Sequence, residues 1–236
     1  MTTLFVHEMH RVRGKSEEAF EAAWRDEWMP LLGKEDDARL LYYCNHVHGT
    51  GPAYTVMTLT AVRDGAAWAR LAERVTRGDL RDFATRLDEM RHGVDAKVLL
   101  PVYWSPVQDV DFGSVPTTAT EHELTLFMED TGWPSASLDE YIGFWGETYF
   151  PFIQHRPMEQ RLLDIQMSFQ PAYGGGNRKE AILWQKVVDH QKLLWLFTHE
   201  TAPELKRPGT FMHDALGYRD EWESRLLRTA SWSPWY

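Results

Sequence analysis

The 236-residue chain carries a formal net charge of −10, which argues against nucleic-acid binding because neutralising phosphates requires a basic surface. Its 43% apolar and 25% charged residues are typical of a globular protein, and no apolar run approaches the ~20 residues that span a bilayer. A single cysteine and the lack of an N-terminal secretory signal predict a cytoplasmic protein. The 11 Trp, 11 Phe and 9 Tyr residues favour a pocket for a flat apolar ligand.

The first half of the chain alternates between the apolar periodicities of strands and of helices. Ser16 is a suitable N-cap for an amphipathic helix, and Asp64 is a suitable cap for a longer helical region that breaks near Gly78. The predicted strands are 4–12, 38–48, 54–62 and 97–104, and the predicted helices are 17–29 and 65–92. This βαββαβ order is the ferredoxin-like split motif, in which the first strand lies between the third and the fourth and the second lies at an edge.

A polar segment without periodicity, 108–120, predicts a linker, and the second half then follows the same order. The predicted strands are 123–129, 162–169, 181–188 and 226–232, with a glycine turn at 174–176. The predicted helices are 137–150 and a region that runs from 189 through 219–223, interrupted by a loop at 203–209.

A seven-residue pattern occurs near the end of the first helix in each half. It reads W-R-D-E-W-M-P from Trp24 to Pro30 and W-G-E-T-Y-F-P from Trp145 to Pro151. Two further pairs share this offset, Ser16 with Ser137 and Glu8 with Glu129. We therefore predict two units of similar fold, 1–107 and 121–236, joined by the linker 108–120. The proline of each pattern is predicted to end its helix.

The βαββαβ unit with an acid on its first strand and a helix ending in W-x-x-x-W-x-P resembles the dimeric α/β-barrel superfamily. The strand E-M-H-R-V-R-G-K that leads to this helix looks most like the NIPSNAP-type branch. The resemblance implies an α+β fold in which two tandem ferredoxin-like units pack as a dimeric α/β-barrel, with a ligand cleft between or beneath the sheets. It implies no single activity, because cofactor-free monooxygenases, small-ring isomerases, polyketide cyclases and haem enzymes share this fold.

Strand alternation predicts which side chains face the cleft. In the second half, Leu124, Leu126 and Met128 form a wholly apolar face that suits a position under helices, which leaves Glu129 facing the cleft. By the register of the repeat, Glu8 and His10 face the same cleft.

The second and third strands extend this predicted site. Thr58 and Thr60 form a small polar face, and His46 and His48 lie two strands from Glu8, roughly 10 Å away. Carboxylates beside apolar walls and imidazoles near neutrality are suited to general acid–base catalysis. The predicted catalytic residues are Glu8, His10, His46 and His48, and the predicted substrate-binding residues are Tyr42, Thr58, Thr60, Phe127 and Glu129.

Several alternatives stay open at this point. The pair of His46 and His48 could be an exposed edge-strand pair, or it could bind a divalent metal with Glu8 or His10 as a third ligand. The carboxylates Glu8 and Glu129 could be structural partners of Arg11 or Arg13, and His7 is expected to be a packed, hydrogen-bonded core residue. If haem is bound, the candidate ligands are His155, His190, His199 and His213.

The predicted function is a small-molecule enzyme that acts on an apolar, aromatic or polyketide-like substrate without an organic cofactor. Isomerisation, cyclisation, dehydration and cofactor-free oxygenation all fit general acid–base catalysis in the cleft. A haem protein of the same fold and a non-catalytic binding protein for an apolar ligand are the alternatives. Neither a nucleic acid nor a membrane is an expected partner, and association into homo-oligomers is left open.

Overall fold

A computed structural model describes residues 2–135, 137–174 and 178–236, so the predicted glycine turn at 174–176 lies largely outside the described residues. The strands are β1 (Leu4–Val12), β2 (Ala38–His46), β3 (Thr55–Val62), β4 (Arg91–Pro101), β5 (Leu126–Pro134), β6 (Leu163–Tyr173), β7 (Ala181–Val187) and β8 (Arg219–Thr229). The α-helices are α1 (Glu17–Ala23), α2 (Met29–Gly33), α3 (Gly65–Arg77), α4 (Arg81–Met90), α5 (Leu138–Phe144), α6 (Phe150–Gln154), α7 (His190–Thr198) and α8 (Phe211–Asp214). None of the helices in these described ranges is long and apolar enough to cross a membrane.

All eight strands pair antiparallel and close into one barrel in the order β1-β3-β2-β8-β5-β7-β6-β4. The predicted position of β1 between β3 and β4 is confirmed, and β5 lies in the same way between β7 and β8. The predicted edge position of β2 is wrong, because β2 also pairs with β8 and a closed barrel has no edge. The predicted α+β architecture of a dimeric α/β-barrel is confirmed.

The barrel has an apolar interior and an outer face that packs against helices. Interior side chains come from strands of both halves and include Phe5, Leu59, Phe127, Phe169 and Leu227. The predicted linker joins this core, because Val110, Phe112 and Val115 are buried in the same cluster. The segment after β4 therefore does more than connect the two halves of the chain, because its apolar side chains belong to the core of the barrel.

The repeated W-x-x-x-W/Y-x-P pattern forms a π-helical turn in both halves, Trp24–Trp28 and Trp145–Tyr149. The amide N–H of Met29 donates to the carbonyl of Trp24, five residues back. A wider turn at this point accommodates the following proline, whose ring would clash with the carbonyl four residues back in a regular α-helix. The prediction that each proline ends its helix is therefore wrong, since the helical path continues to Gly33 and Gln154.

The last helical region was also predicted incorrectly. Asp189 caps α7 by accepting from the amides of Gln191 and Lys192 at 2.9 Å each, but α7 ends at Thr198 and Arg219–Thr229 forms β8. Residues 220–224 of this strand are exposed and mostly polar, which hides its strand character, and Arg225 pairs with Glu129 of the barrel interior. In the first half, β4 likewise begins at Arg91 rather than at residue 97.

Candidate active site beneath the first-half helices

Glu8 and Glu129 were predicted to occupy equivalent positions in the two halves, but their positions differ by one residue. The strand β1 begins at Leu4 and β5 at Leu126, whereas the π-helical turns begin at Trp24 and Trp145, so the second half is one residue shorter between strand and helix. A shift of one residue moves a strand side chain to the opposite face.

Ladder pairing shows the consequence, because directly opposite residues in an antiparallel pair share a face. Glu129 pairs with Trp184, which is buried in the barrel interior. Glu8 pairs with Thr58 on the outer face, beneath the helices. The prediction that Glu8 and His10 share one cleft with Glu129 is therefore wrong.

A cavity of about 270 Å³ lies between the outer face of the first-half sheet and the helices that cover it. Its floor contains Glu8 and Thr60, and the side chain of Glu8 is 23% exposed. The predicted cleft faced away from the helices, so the prediction of the face on which Glu8 lies is wrong. The walls of the cavity are mostly apolar and come from the first π-helical turn and from α2, α3 and α4. The wall residues include Trp24, Trp28, Leu32, Trp68, Leu71, Val75 and Leu87.

Behind the cavity, a chain of hydrogen bonds leads to Glu8. The guanidinium of Arg91 donates to Nδ1 of His10 at 2.7 Å. Because arginine has no acceptor atom, Nδ1 is the unprotonated nitrogen of a neutral His10, and Nε2–H donates to the hydroxyl of Thr58 at 3.1 Å. The Thr58 hydroxyl in turn donates to Oε2 of Glu8 at 3.4 Å. Asp88 holds the other end by accepting from Nε of Arg91 at 2.9 Å.

The electrostatics of this chain follow from its burial. Burial lowers the pKa of His10 well below its ordinary value, and the charge of Arg91 lowers it further, so His10 is neutral at pH 7. Burial raises the pKa of Glu8, and Arg91 and the Thr58 hydrogen bond offset only part of that effect. A carboxyl group whose pKa is raised toward neutrality is a stronger base when it is ionised.

Sequence reasoning placed Glu8, His10, Thr58 and Thr60 correctly on one face but missed Arg91. The helical periodicity of 65–92 hid the start of β4, and Arg91 belongs to that start. The two tryptophans of the first π-helical turn were recognised only as part of a repeat.

The predicted partners His46 and His48 do not flank this cavity. Thr58 pairs with Tyr43, so the alternate residues of β2, including Tyr42 and His46, face the interior. His46 pairs with the interior residue Leu227, and His48 is exposed in the turn after β2. The predicted approach of these imidazoles to Glu8 is therefore wrong.

The barrel interior holds a separate ionic cluster that joins the two halves. Nε2 of His7 donates to Oε2 of Glu129 at 2.6 Å, and the Arg225 guanidinium donates to Oε1 at 3.0 Å. Burial alone would raise the pKa of Glu129, but His7 and Arg225 outweigh it and lower the pKa to about 2. The partner of Glu129 is therefore Arg225 and neither Arg11 nor Arg13, and His7 is a hydrogen-bonded core residue as expected.

The predicted substrate-binding residues Tyr42 and Phe127 are also interior. Their rings pack edge to face at 5.1 Å, and Phe127 stacks on Trp184 at 4.7 Å. Both rings belong to the packed core of the barrel interior, so they lie apart from the Glu8 cavity.

In the second half, Asp130 occupies the strand position that corresponds to Glu8. Burial raises its pKa, and its oxygens accept from Ser224 and from the amide of Gln185, the latter at 2.9 Å. The hydroxyl of Tyr149 donates to Gln185 at 2.8 Å. The side chains that surround this acid therefore already satisfy it.

The described residues do not fit a haem at the Glu8 cavity. Haem iron needs a free imidazole nitrogen or a similar ligand, but both ring nitrogens of His10 are engaged. The candidates His155, His190, His199 and His213 are exposed on the second half. Across 2–135, 137–174 and 178–236, no three His, Cys, Asp or Glu side chains converge as a metal site would require.

Comparisons with known proteins reveal likeness of fold only. No protein-family model matches the chain, and no curated protein is significantly similar to it. A proposed monooxygenase from Lactobacillus acidophilus NCFM superposes over 98% of this chain and 97% of its own, with a TM-score of 0.58 and 9% identity. An anthrone oxidase-like protein superposes over 97% of this chain and 91% of its own, with a TM-score of 0.57 and 10% identity.

A NIPSNAP family protein from Agrobacterium tumefaciens str. C58 matches 45% of this chain and 99% of its own, with a TM-score of 0.39 and 19% identity. The two likenesses over nearly the whole chain agree with the closed strand order and with the helices that cover its outer face. The chain therefore has the dimeric α/β-barrel fold, and a single chain supplies all eight strands of the barrel.

Proposed function

We propose that this protein is an enzyme that removes a proton from a small, largely apolar aromatic molecule bound in the cavity beneath the first-half helices. The observation that supports this most directly is Glu8, a carboxylate at the floor of a mostly apolar cavity with a hydrogen-bonded chain behind it. The cavity volume of about 270 Å³ suits a ligand of two or three fused rings rather than a large cofactor.

Glu8 is the proposed general base. The Thr58 hydroxyl fixes Oε2 of Glu8, which leaves Oε1 to accept a proton from the ligand. His10 is a positioning residue, because its neutral ring orients Thr58 and does not line the cavity. Arg91 lines the cavity and fixes the tautomer of His10.

Isomerisation, cyclisation, dehydration and cofactor-free oxygenation can all begin with this proton removal. Among them we favour oxygenation of an electron-rich carbanion by molecular oxygen, since two full-length structural neighbours carry the names proposed monooxygenase and anthrone oxidase-like protein. The two-unit division at 108–120 and a cytoplasmic location belong to the same proposal, the latter because the sole cysteine is buried and unpaired.

Deuterium exchange tests the proton transfer whatever reaction follows it. The purified protein is incubated with 2-tetralone in D₂O, and loss of the α-proton signal is followed by NMR. We expect wild-type protein to accelerate exchange and Glu8→Gln to reduce the acceleration by about 10²-fold or more, as for removal of a general base. The control is Glu27→Gln, whose carboxylate is 44% exposed and pairs with Arg86 outside the cavity.

The pH dependence has a definite sign. Because burial raises the pKa of Glu8 above its ordinary 4.5, the base form is lost as pH falls through that raised value, and the exchange rate falls with it. An exchange rate that is unchanged in Glu8→Gln contradicts the proposal. Ligand binding without exchange in the wild type would instead favour a non-catalytic binding protein, and oxygen uptake with anthrone separates oxygenation from the other reactions.

A further inference from the structure

We infer that the indole N–H groups of Trp24 and Trp28 bind an oxygen atom of the ligand. The substrate is then an enolisable ketone fused to an aromatic ring, or the corresponding phenol, and not an aromatic hydrocarbon. This inference rests on the proposed function, because it supplies the group that holds charge when Glu8 removes a proton. The two indoles take the place of His46 and His48 as predicted site residues, because the fold places these histidines away from the cavity.

The π-helical turn brings the two indoles together. Trp24 and Trp28 are four residues apart, so they lie on the same side of the helix, with ring centroids 5.7 Å apart. Both line the cavity that contains Glu8. They are 1% and 9% exposed, so neither indole has ready access to bulk water.

Neither indole nitrogen has a hydrogen-bond partner among the described residues. Other tryptophans of the chain do have one: Trp104 donates to the carbonyl of Ile142 at 2.8 Å, and Trp232 donates to Glu21 at 2.9 Å. A buried donor without a partner loses its hydrogen bond to water without replacing it, which native proteins normally avoid. Trp145 and Trp184 share this feature, but only Trp24 and Trp28 adjoin the cavity, from which a ligand can supply the acceptor.

Two other donors that line the cavity, Arg91 and Thr76, are already engaged, Thr76 by donating to the carbonyl of Ala72 at 2.8 Å. The guanidinium of Arg91 donates to His10 and Asp88. In this proposal the two N–H groups form an oxyanion hole for the ligand oxygen, an arrangement that is most effective where water is excluded.

The chemistry balances with the groups present. Glu8 takes the proton from the carbon next to the carbonyl, the C–H electron pair forms the C=C bond of the enolate, and the carbonyl π pair moves onto oxygen. The two indole N–H groups then stabilise the negative oxygen, and Glu8 is left as a carboxylic acid. An aromatic hydrocarbon has no oxygen to accept these hydrogen bonds.

The test removes the N–H groups without changing the shape of the side chains. Trp24 and Trp28 are replaced one at a time by 3-benzothienylalanine, in which sulfur stands in place of the indole N–H. Binding of 2-tetralone and of tetralin, its hydrocarbon counterpart, is measured by titration. We expect each replacement to weaken 2-tetralone binding by about 5–10-fold and to leave tetralin binding unchanged, as loss of one hydrogen bond predicts.

Trp195 is the control, because it lies on α7 of the second half, outside the cavity, and is 50% exposed. Its replacement by 3-benzothienylalanine is expected to change neither affinity. Equal losses for 2-tetralone and tetralin, or no preference for 2-tetralone in the wild type, would overturn the inference. The exchange assay with Glu8→Gln does not depend on these indole contacts. If Glu8→Gln slows exchange as expected but the replacements of Trp24 and Trp28 leave 2-tetralone binding unchanged, the indole contacts are refuted and the proposed function is not.

Discussion

The ionic cluster inside the barrel yields a quantitative prediction for stability. Glu129 is 1% exposed, and its two oxygens accept from His7 of the first half and Arg225 of the second. The substitution Glu129→Gln removes the negative charge and keeps the shape. It leaves Arg225 and His7 without their carboxylate partner, and His7, at 3% exposed, has little access to water in its place.

The pKa of Glu129 sets the expected magnitude. A fall from the ordinary 4.5 to about 2 corresponds to about 3 kcal/mol at 1.36 kcal/mol per pKa unit. A carboxyl group whose pKa is lower in the folded state contributes stability that is fully present above 4.5 and is lost as pH falls toward 2. We therefore expect Glu129→Gln to lower the free energy of unfolding at pH 7 by about 3 kcal/mol and to flatten its dependence on pH in that range.

Urea denaturation at several pH values between 7 and 3 measures both effects. With a slope of about 3 kcal/mol/M, the midpoint at pH 7 falls by about 1 M. Glu223→Gln is the control, because Glu223 also pairs with Arg225 but is 47% exposed, and such pairs contribute about 0–1 kcal/mol. If Glu129→Gln unfolds with the midpoint and pH profile of the wild type, the ionic cluster does not stabilise the barrel and the reasoning is refuted.

Two further pairs of substitutions test the packing of the second half. A Cβ at Gly132 would overlap the hydroxyl of Tyr141, so Gly132→Ala should destabilise the protein by about 1–3 kcal/mol. Gly143 lies in α5 with open space around it, so Gly143→Ala should be neutral or stabilising by up to about 1 kcal/mol. Thermal unfolding measures both substitutions, and equal effects would contradict the contact between Gly132 and Tyr141. Leu193 is 5% exposed and Phe197 is 57% exposed, so Leu193→Ala should cost about 2–5 kcal/mol and Phe197→Ser less than about 0.5 kcal/mol by the same measurement.

Local pattern predicts most of the fold because the order of elements is a local property. Alternation and helical periodicity place β1, β2, β3, β6 and β7 within about four residues of their bounds, but miss β4 by six residues at its start and β5 by five at its end. Asp64 caps α3 as expected, whereas Ser16 precedes α1 without a side-chain cap hydrogen bond. The clearest exception is β8, in which residues 220–224 are exposed and mostly polar, so that the strand resembles a polar helix in sequence. The partly buried Arg225 of this strand pairs with Glu129, which lies far away in sequence.

The candidate site was predicted only in part, and the cause is a single residue of spacing. Glu8, His10 and Thr58 share a face by alternation alone, which the ladder between β1 and β3 confirms. The prediction that Glu129 shares this face assumed that both halves have the same number of residues between their first strand and their first helix. Because strand side chains alternate with a period of two, the missing residue places Glu129 in the interior and Glu8 beneath the helices.

By itself, the sequence determined the βαββαβ order, the repeated W-x-x-x-W/Y-x-P pattern and an acid on each first strand, since these depend on neighbours within a few residues. Only the tertiary structure decided that the two sheets close into one barrel, that Arg91 stands behind His10, and that Trp24 and Trp28 form a wall above Glu8. Those features depend on which face each strand turns inward. Contacts between distant segments determine that choice, because the apolar sides of both halves must be buried together.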